Sequence, residues 1–186
     1  MEIIIVGGVL LLLLFILIGI YNRLVGLRQN VNQAEADIDA QLKLRHDLIP
    51  NLVETVKGYA AHEKSTLDAV IAARAKALAA NNPAQAAEAE GALSASLRSL
   101  FALAENYPEL KASANFQTLQ NQLQDVEAML AAARRAYNSV TADYNGAIEA
   151  FPAVLFARML GFAKRPFQRL SETESAAMAN PPAVKF

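Results

Sequence analysis

The sequence predicts an all-α fold: an N-terminal transmembrane helix followed by an antiparallel up-and-down four-helix bundle of two long and two short helices. Three observations carry that expectation. Residues 3–20, IIIVGGVLLLLLFILIGI, contain no charge and no strongly polar group. Beyond them, apolar residues recur at steps of three and four, and strand-like alternation is absent. Late in the chain, residues 116–151 hold apolar side chains in heptad register without a break.

The apolar segment, as a helix, spans about 27 Å, close to the thickness of a bilayer's hydrocarbon core. A cleaved signal peptide is the competing reading. Against it, Met1 and Glu2 supply no basic leader, and Ile20-Tyr21-Asn22-Arg23 offers no small-x-small cleavage site. Residues 1–21 are therefore expected to be a retained membrane anchor. Glu2 precedes the segment, whereas Arg23 and Arg28 follow it, so the positive-inside rule places the N-terminus outside and the rest in the cytoplasm.

After the anchor, Leu24, Leu27, Val31, Ala34 and Ile38 form one stripe, which then shifts onto Leu42, Ile49, Leu52, Val56 and Tyr59. Pro50 lies inside this first helix, where it removes a backbone hydrogen bond and is expected to bend the helix. Weakening of the pattern around Gly58 predicts a reversal near residues 61–64. A shorter helix follows through Leu67, Val70, Ile71, Arg74 and Leu78. It stops at ANNP, where Asn82 suits the next helix's cap and Pro83 its first position. The third helix, from Pro83 to about Glu105, is alanine-rich, which allows close helix approach, and Tyr107-Pro108 closes it.

In the fourth helix, Phe116, Leu123, Leu130, Tyr137, Tyr144 and Phe151 share one heptad position. Leu119, Val126, Ala133, Val140 and Ala147 share the other. Phe151-Pro152 ends it. The expected division is an anchor over 1–21, a bundle over 22–151, a short amphipathic membrane-proximal segment over 152–170 and an irregular tail over 171–186.

Composition narrows the function. The net charge is −1 and basic residues are interleaved with acids, so the electrostatic footprint of nucleic-acid binding is missing. There is no cysteine, hence no disulfide, thiolate metal site or Cys nucleophile. His46 and His62 are each followed by an acid, without a second His at HExxH spacing or a nucleophile elbow. Such lone helical pairs are expected on the surface. No Glu-x-x-His pair for a di-iron bundle and no glycine-rich phosphate loop occur, so no enzyme activity, metal or cofactor is expected.

One motif stands out. Tyr137-Asn138 and Tyr144-Asn145 repeat seven residues apart, so each pair returns to nearly the same side of the helix. Buried tyrosines need hydroxyl partners, and asparagines at a seam's edge bridge to a neighbouring element. Two readings stay open here: polar groups that fix register, or a polar ligand site near the membrane.

The blocks YNRLVGLRQNVNQAEADIDAQLKLRHDLIPNLVETVKGYAAHEK, NYPELKASANFQTLQNQLQDVE and ARRAYNSVTADYNGAI, with FP and the closing PPAVKF, resemble the LemA family. The pattern falls on Tyr21, Asn22, Arg45, Asp47, Pro50 and Asn51. It falls again on Asn106, Tyr107, Pro108, Glu127, Arg134, Arg135, Tyr137, Asn138, Tyr144, Asn145, Phe151 and Pro152. This resemblance implies a bacterial single-pass membrane protein with a helical-bundle domain and assigns no biochemical activity. Ala128-Met129-Leu130 departs from the family's more polar pattern after Glu127, which suits an extra helix contact in an oligomer.

The combined expectation is a non-enzymatic scaffold at the bacterial inner membrane that self-associates and organises partner proteins. The alternative is a ligand- or lipid-responsive sensor using Tyr21, Asn22 and the Tyr/Asn pairs. A polar tail orders only when anchored, so Val184 and Phe186 are expected to rest on the same or a neighbouring subunit. Finally, Arg45 falls in line with Leu24, Val31, Ile38, Leu52 and Tyr59, inside the seam. If Asn22 faces Ile148 in an antiparallel register, Arg45 comes level with residues 125–127. An Arg45–Glu127 ion pair is then expected, with Arg134 reaching Glu35 or Asp37. The alternative is an Arg45 side chain that snorkels to water.

Overall fold

The computed structural model describes residues 1–168, and Arg169, Val184, Phe186 and the rest of the tail lie outside them. Among the described residues the regular secondary structure is all helical, with no strand. The helices are α1 (Glu2–Tyr59), α2 (Lys64–Leu78), α3 (Pro83–Ala104), α4 (Pro108–Ala112) and α5 (Ala114–Glu149), followed by a 3-10 turn at Ala153–Leu155. The short α4 is not visible in the periodicity. It is a short helix started by Pro108, with Tyr107 held outside the α region before it.

α1 runs 58 residues without interruption. Its first part is apolar and long enough to cross a membrane, and none of that part is buried. The described chain divides into two compact units, Met1–Asp39 with residues 132–168, and Ala40–Ala131. Both α1 and α5 contribute to each.

In the unit formed by Ala40–Ala131, the core is built from one face of each helix. α1 supplies Ile49, Leu52, Val53 and Val56; α2 supplies Leu67, Val70 and Ala73; α3 supplies Leu93, Leu97, Leu100 and Ala104. Leu110 from α4 and Phe116 and Leu123 from α5 complete it, with Phe101 meeting Phe116 edge-on at 6.1 Å between ring centroids. α2 and α3 pack closely together, as their small side chains allow. The Asn82 side chain accepts from the Gln85 N–H at 2.9 Å, capping α3 as its sequence predicts.

In the other unit, Leu24, Val31, Ala34 and Ile38 of α1 are buried, as are Tyr137, Thr141, Tyr144, Asn145 and Ile148 of α5. The expected seam is therefore corrected at its end. Thr141 and Ile148 take the buried positions assigned to Val140 and Ala147, because a 3.6-residue helix drifts against a seven-residue repeat. Phe151, past the end of α5, is 81% exposed, and Tyr59, the last residue of α1, is 46% exposed. Neither continues the stripe. Beyond α5 the chain closes with Gly161 N–H on Arg158 O and Phe162 N–H on Ala157 O. Gly161 adopts a positive φ of 78° there, the conformation that a side chain disfavours.

Pro50 leaves α1 helical, and the reason is specific. Proline lacks the N–H that would bond the carbonyl four residues earlier, that of His46. Arg74 of α2 supplies the missing donor: its Nε lies 2.8 Å from His46 O. Arg74→Ala is expected to cost about 1–3 kcal/mol by orphaning that carbonyl. In a Pro50→Ala background, where a backbone N–H returns, the loss should shrink towards zero. Equilibrium unfolding of the four chains in detergent checks this; equal losses in both backgrounds would refute it.

Candidate functional site: a buried ion cluster and a paired asparagine clamp

Two polar constellations stand out, one in each unit. The first is centred on Arg45, which is 1% exposed despite its permanent charge. Its Nη1 donates to Glu90 Oε2 at 2.7 Å. Its Nη2 donates to Ser94 Oγ at 2.7 Å and lies 2.8 Å from Glu127 Oε1. The guanidinium does not reach water. It sits between carboxylates from α3 and α5.

The other Glu90 oxygen, Oε1, lies 2.7 Å from His46 Nε2. Glu90 faces a guanidinium and so accepts, which makes the imidazole Nε2 the donor. Ser94 Oγ in turn donates to Glu90 O at 3.0 Å. The result is a closed network in which one buried acid serves two donors. Among the described residues, Arg45 Nε has no hydrogen-bond partner.

The expected Arg45–Glu127 contact is present, yet it is the lesser of the two. The Glu127 side chain is 47% exposed, whereas that of Glu90 is 8% exposed. Solvent screens the former pair and hardly reaches the latter. Glu90 is the residue that sequence reasoning missed. Its signal was spacing: Glu90, Leu93, Leu97, Leu100 and Ala104 lie on one helical face, and all are buried. His46 was likewise expected on the surface and is instead buried, three and seven residues from Ile49 and Val53.

The Arg134 expectation is corrected. Glu35 faces the Arg165 guanidinium at 4.0 Å, and Asp37 accepts from Gln33 Nε2 at 3.0 Å. No ion pair joins Arg134 to either acid among the described residues. Arg134 is half-buried; Arg135, Asn22, Asp47, Pro50 and Asn51 are exposed. Met129 is exposed beside buried Leu130. Tyr107 bonds Glu63 through its hydroxyl at 2.9 Å, joining the α3–α4 corner to the α1–α2 reversal. That hydrogen bond to a carboxylate, helped by desolvation and by the Glu63 charge, raises the phenol above its ordinary pKa.

The second constellation explains the repeated Tyr-Asn pair. Asn145 Nδ2 donates to Arg165 O at 2.8 Å, and Arg165 N–H donates back to Asn145 Oδ1 at 2.9 Å. Asn138 treats Gln168 identically, at 2.9 and 2.8 Å. Tyr137 hydroxyl donates to Pro166 O at 3.1 Å. Each amide thus presents a donor and an acceptor to one residue's backbone, as a neighbouring strand would.

The spacing is a ruler. Seven helical residues rise about 10.5 Å, and three residues of polyproline-type extended chain, one full turn, advance about 9 Å. Asn138 and Asn145 are seven apart on α5, and Gln168 and Arg165 are three apart in the clamped segment. The segment runs opposite to α5. Arg165 adds a bond from Nη2 to Asn32 Oδ1 at 3.1 Å, and Lys164 pairs with Glu149 at 2.5 Å. Tyr21 lies near the start of this unit, its ring edge-on to Phe162 at 5.6 Å, and Arg28 stands 5.1 Å from the same ring's centroid. Tyr144 is buried on the same face as Tyr137.

Both constellations make measurable demands. Glu90→Ala is expected to cost about 3–5 kcal/mol by stranding a buried cation, against about 1 kcal/mol for Glu127→Ala. Double-mutant cycles with Arg45→Ala should show the larger coupling to Glu90; equal couplings would contradict the network as described. In hydrogen exchange, the amides of Arg165 and Gln168 should be protected. Asn145→Ala should release the Arg165 amide, whereas Asn145→Asp, which keeps the acceptor, should retain most of its protection.

The LemA family model matches residues 34–186. No curated protein matches the chain. The matched range takes in the Arg45 cluster, all of α2 to α5 and the Asn138–Asn145 clamp. The chain belongs to the LemA family.

Proposed function

We propose that this protein is a non-enzymatic helical scaffold, held in the bacterial inner membrane by the first part of α1, that self-associates and organises partner proteins there. The observation that carries the reading is the continuity of α1. One 58-residue helix holds both an unburied apolar segment of membrane-crossing length and the packing face from Leu24 to Val56. A helix that runs on from the anchor into packed domain residues suits a structural role.

The domain is proposed to be an antiparallel four-helix bundle, with α1 and α5 as its long members. The Arg45–Glu127 contact supports that register, since it joins the residues which an Asn22–Ile148 alignment sets level. Orientation follows the charge flanks, with the domain cytoplasmic. Nucleic acid is not a proposed partner, and neither a metal nor a cofactor enters the reading.

The sensor alternative draws less support. Its candidate donors, the amides of Asn138 and Asn145 and the hydroxyl of Tyr137, are already committed to the backbone of residues 165–168. A ligand would have to displace that segment first.

Mass measurement of the full chain in mild detergent tests the scaffold. A single defined multimer is expected, and a monomer across the concentration range would overturn self-association. Protease added to spheroplasts should leave the domain intact; digestion with an unbroken membrane would reverse the orientation.

A further inference from the structure

Residues 150–161, AFPAVLFARMLG, carry one charge, Arg158. The segment folds back on itself. Val154 and Leu160 N–H groups bond the carbonyls of Ala150 and Phe156, and Phe156 and Ala157 both bond Ala153 O. Backbone groups satisfied within the segment do not require water.

Its side chains are sorted the wrong way for a water-facing turn. Ala153 and Ala157, two of the smallest, are buried together with Phe162. Phe151, Val154, Leu155 and Met159 are each at least half exposed. Isolated apolar residues on a surface need no explanation, but four of them in nine positions form a patch that does.

The position of the patch identifies what covers it. Phe162, which closes the segment, meets Tyr21 edge-on, and Tyr21 directly follows the apolar stretch ending at Ile20. Aromatic rings at that point in a spanning helix lie at headgroup level. The segment that carries the patch is thus held, through Phe162, beside the end of the apolar stretch.

We propose that residues 150–161 seat in the boundary between headgroups and acyl chains of the anchoring bilayer, with Phe151, Val154, Leu155 and Met159 entering the lipid. This rests on the reading of residues 3–20 as a membrane span. Electrostatics does little of the work. Lys164 is paired with Glu149, and Arg165 is engaged by Asn32 and Glu35. Lys164 and Arg165 are thus engaged within the protein, and Arg158 as the segment's own single charge is too little for polybasic attraction to anionic lipid, so apolar burial drives the seating.

The chain has no cysteine, so single spin labels can be placed without background. Leu155→Cys and Met159→Cys are labelled in the full chain, reconstituted in phosphatidylcholine vesicles. Leu10→Cys in the span and Lys76→Cys on the exposed face of α2 are the references. Collision with oxygen and with a water-soluble nickel chelate is then measured by power saturation. Labels at 155 and 159 should exclude the chelate several-fold relative to 76 while admitting oxygen, as at 10. Adding phosphatidylglycerol or salt should leave them unchanged.

If 155 and 159 behave like 76 while 10 remains in lipid, the seating is wrong and the span stands. If 10 also meets the chelate freely, the span itself fails. Exclusion of both reagents at 155 and 159 would mean a protein cover and overturn the proposal, as would seating that appears only with anionic lipid.

Discussion

A permanently charged guanidinium buried to 1% constrains everything packed around it. Arg45 cannot shed its proton, so the fold must bring counter-charge to it. α3 supplies Glu90 and Ser94, and α5 supplies Glu127. Glu90 then holds His46, one residue along α1. A slip of one helix by a turn moves a carboxylate about 5.4 Å from its cation, which leaves a buried charge unpaired. Apolar contacts among Leu, Val and Ala faces tolerate sliding far better. The ion cluster thus fixes which rung of α3 meets which rung of α1.

The same stretch of α1 holds a second obligation. Pro50 deprives the His46 carbonyl of its helical donor, and Arg74 of α2 provides another. Within five residues, α1 requires something from α2, α3 and α5 in turn. Buried polar groups of this kind are costly when half satisfied. They add less to stability than an apolar replacement of equal volume does, and more to uniqueness of packing. Such a trade suits a helix pair whose faces, rich in alanine, would otherwise fit together in several ways.

Much of this was legible in the chain. The apolar stripe from Leu24 to Val56, the reversal after Tyr59, the Asn82 cap and the α5 seam follow from periodicity and capping chemistry alone. Arg45 was recognisable as a buried cation because it interrupts a seam. Its main partner was not, because Glu90 lies in a helix whose small residues drew attention away from its one buried acid. Reading α3 from Leu93 backwards by three would have found it. Phe151 and Tyr59 were misassigned for a simpler reason: periodicity has no knowledge of where a helix ends, and each lies at or beyond an end.

The asparagine pair shows a different limit. Its seven-residue spacing is plain in the sequence, but its partner is main chain, and main chain leaves no residue signature. Asn138 and Asn145 meet Gln168 and Arg165 through backbone N–H and C=O groups that almost any residue would present. What the sequence does encode is the ruler. Helix and polyproline-type extended chain advance at about 1.5 and 3.1 Å per residue, and the latter turns the same side to the helix every third residue, so commensurate contact between them recurs near seven against three. A helix can therefore grip an extended segment without any sheet when its amides stand one heptad apart. The doubled Tyr-Asn motif meets that condition, and Tyr137 fills the interval by taking the Pro166 carbonyl between the two clamps.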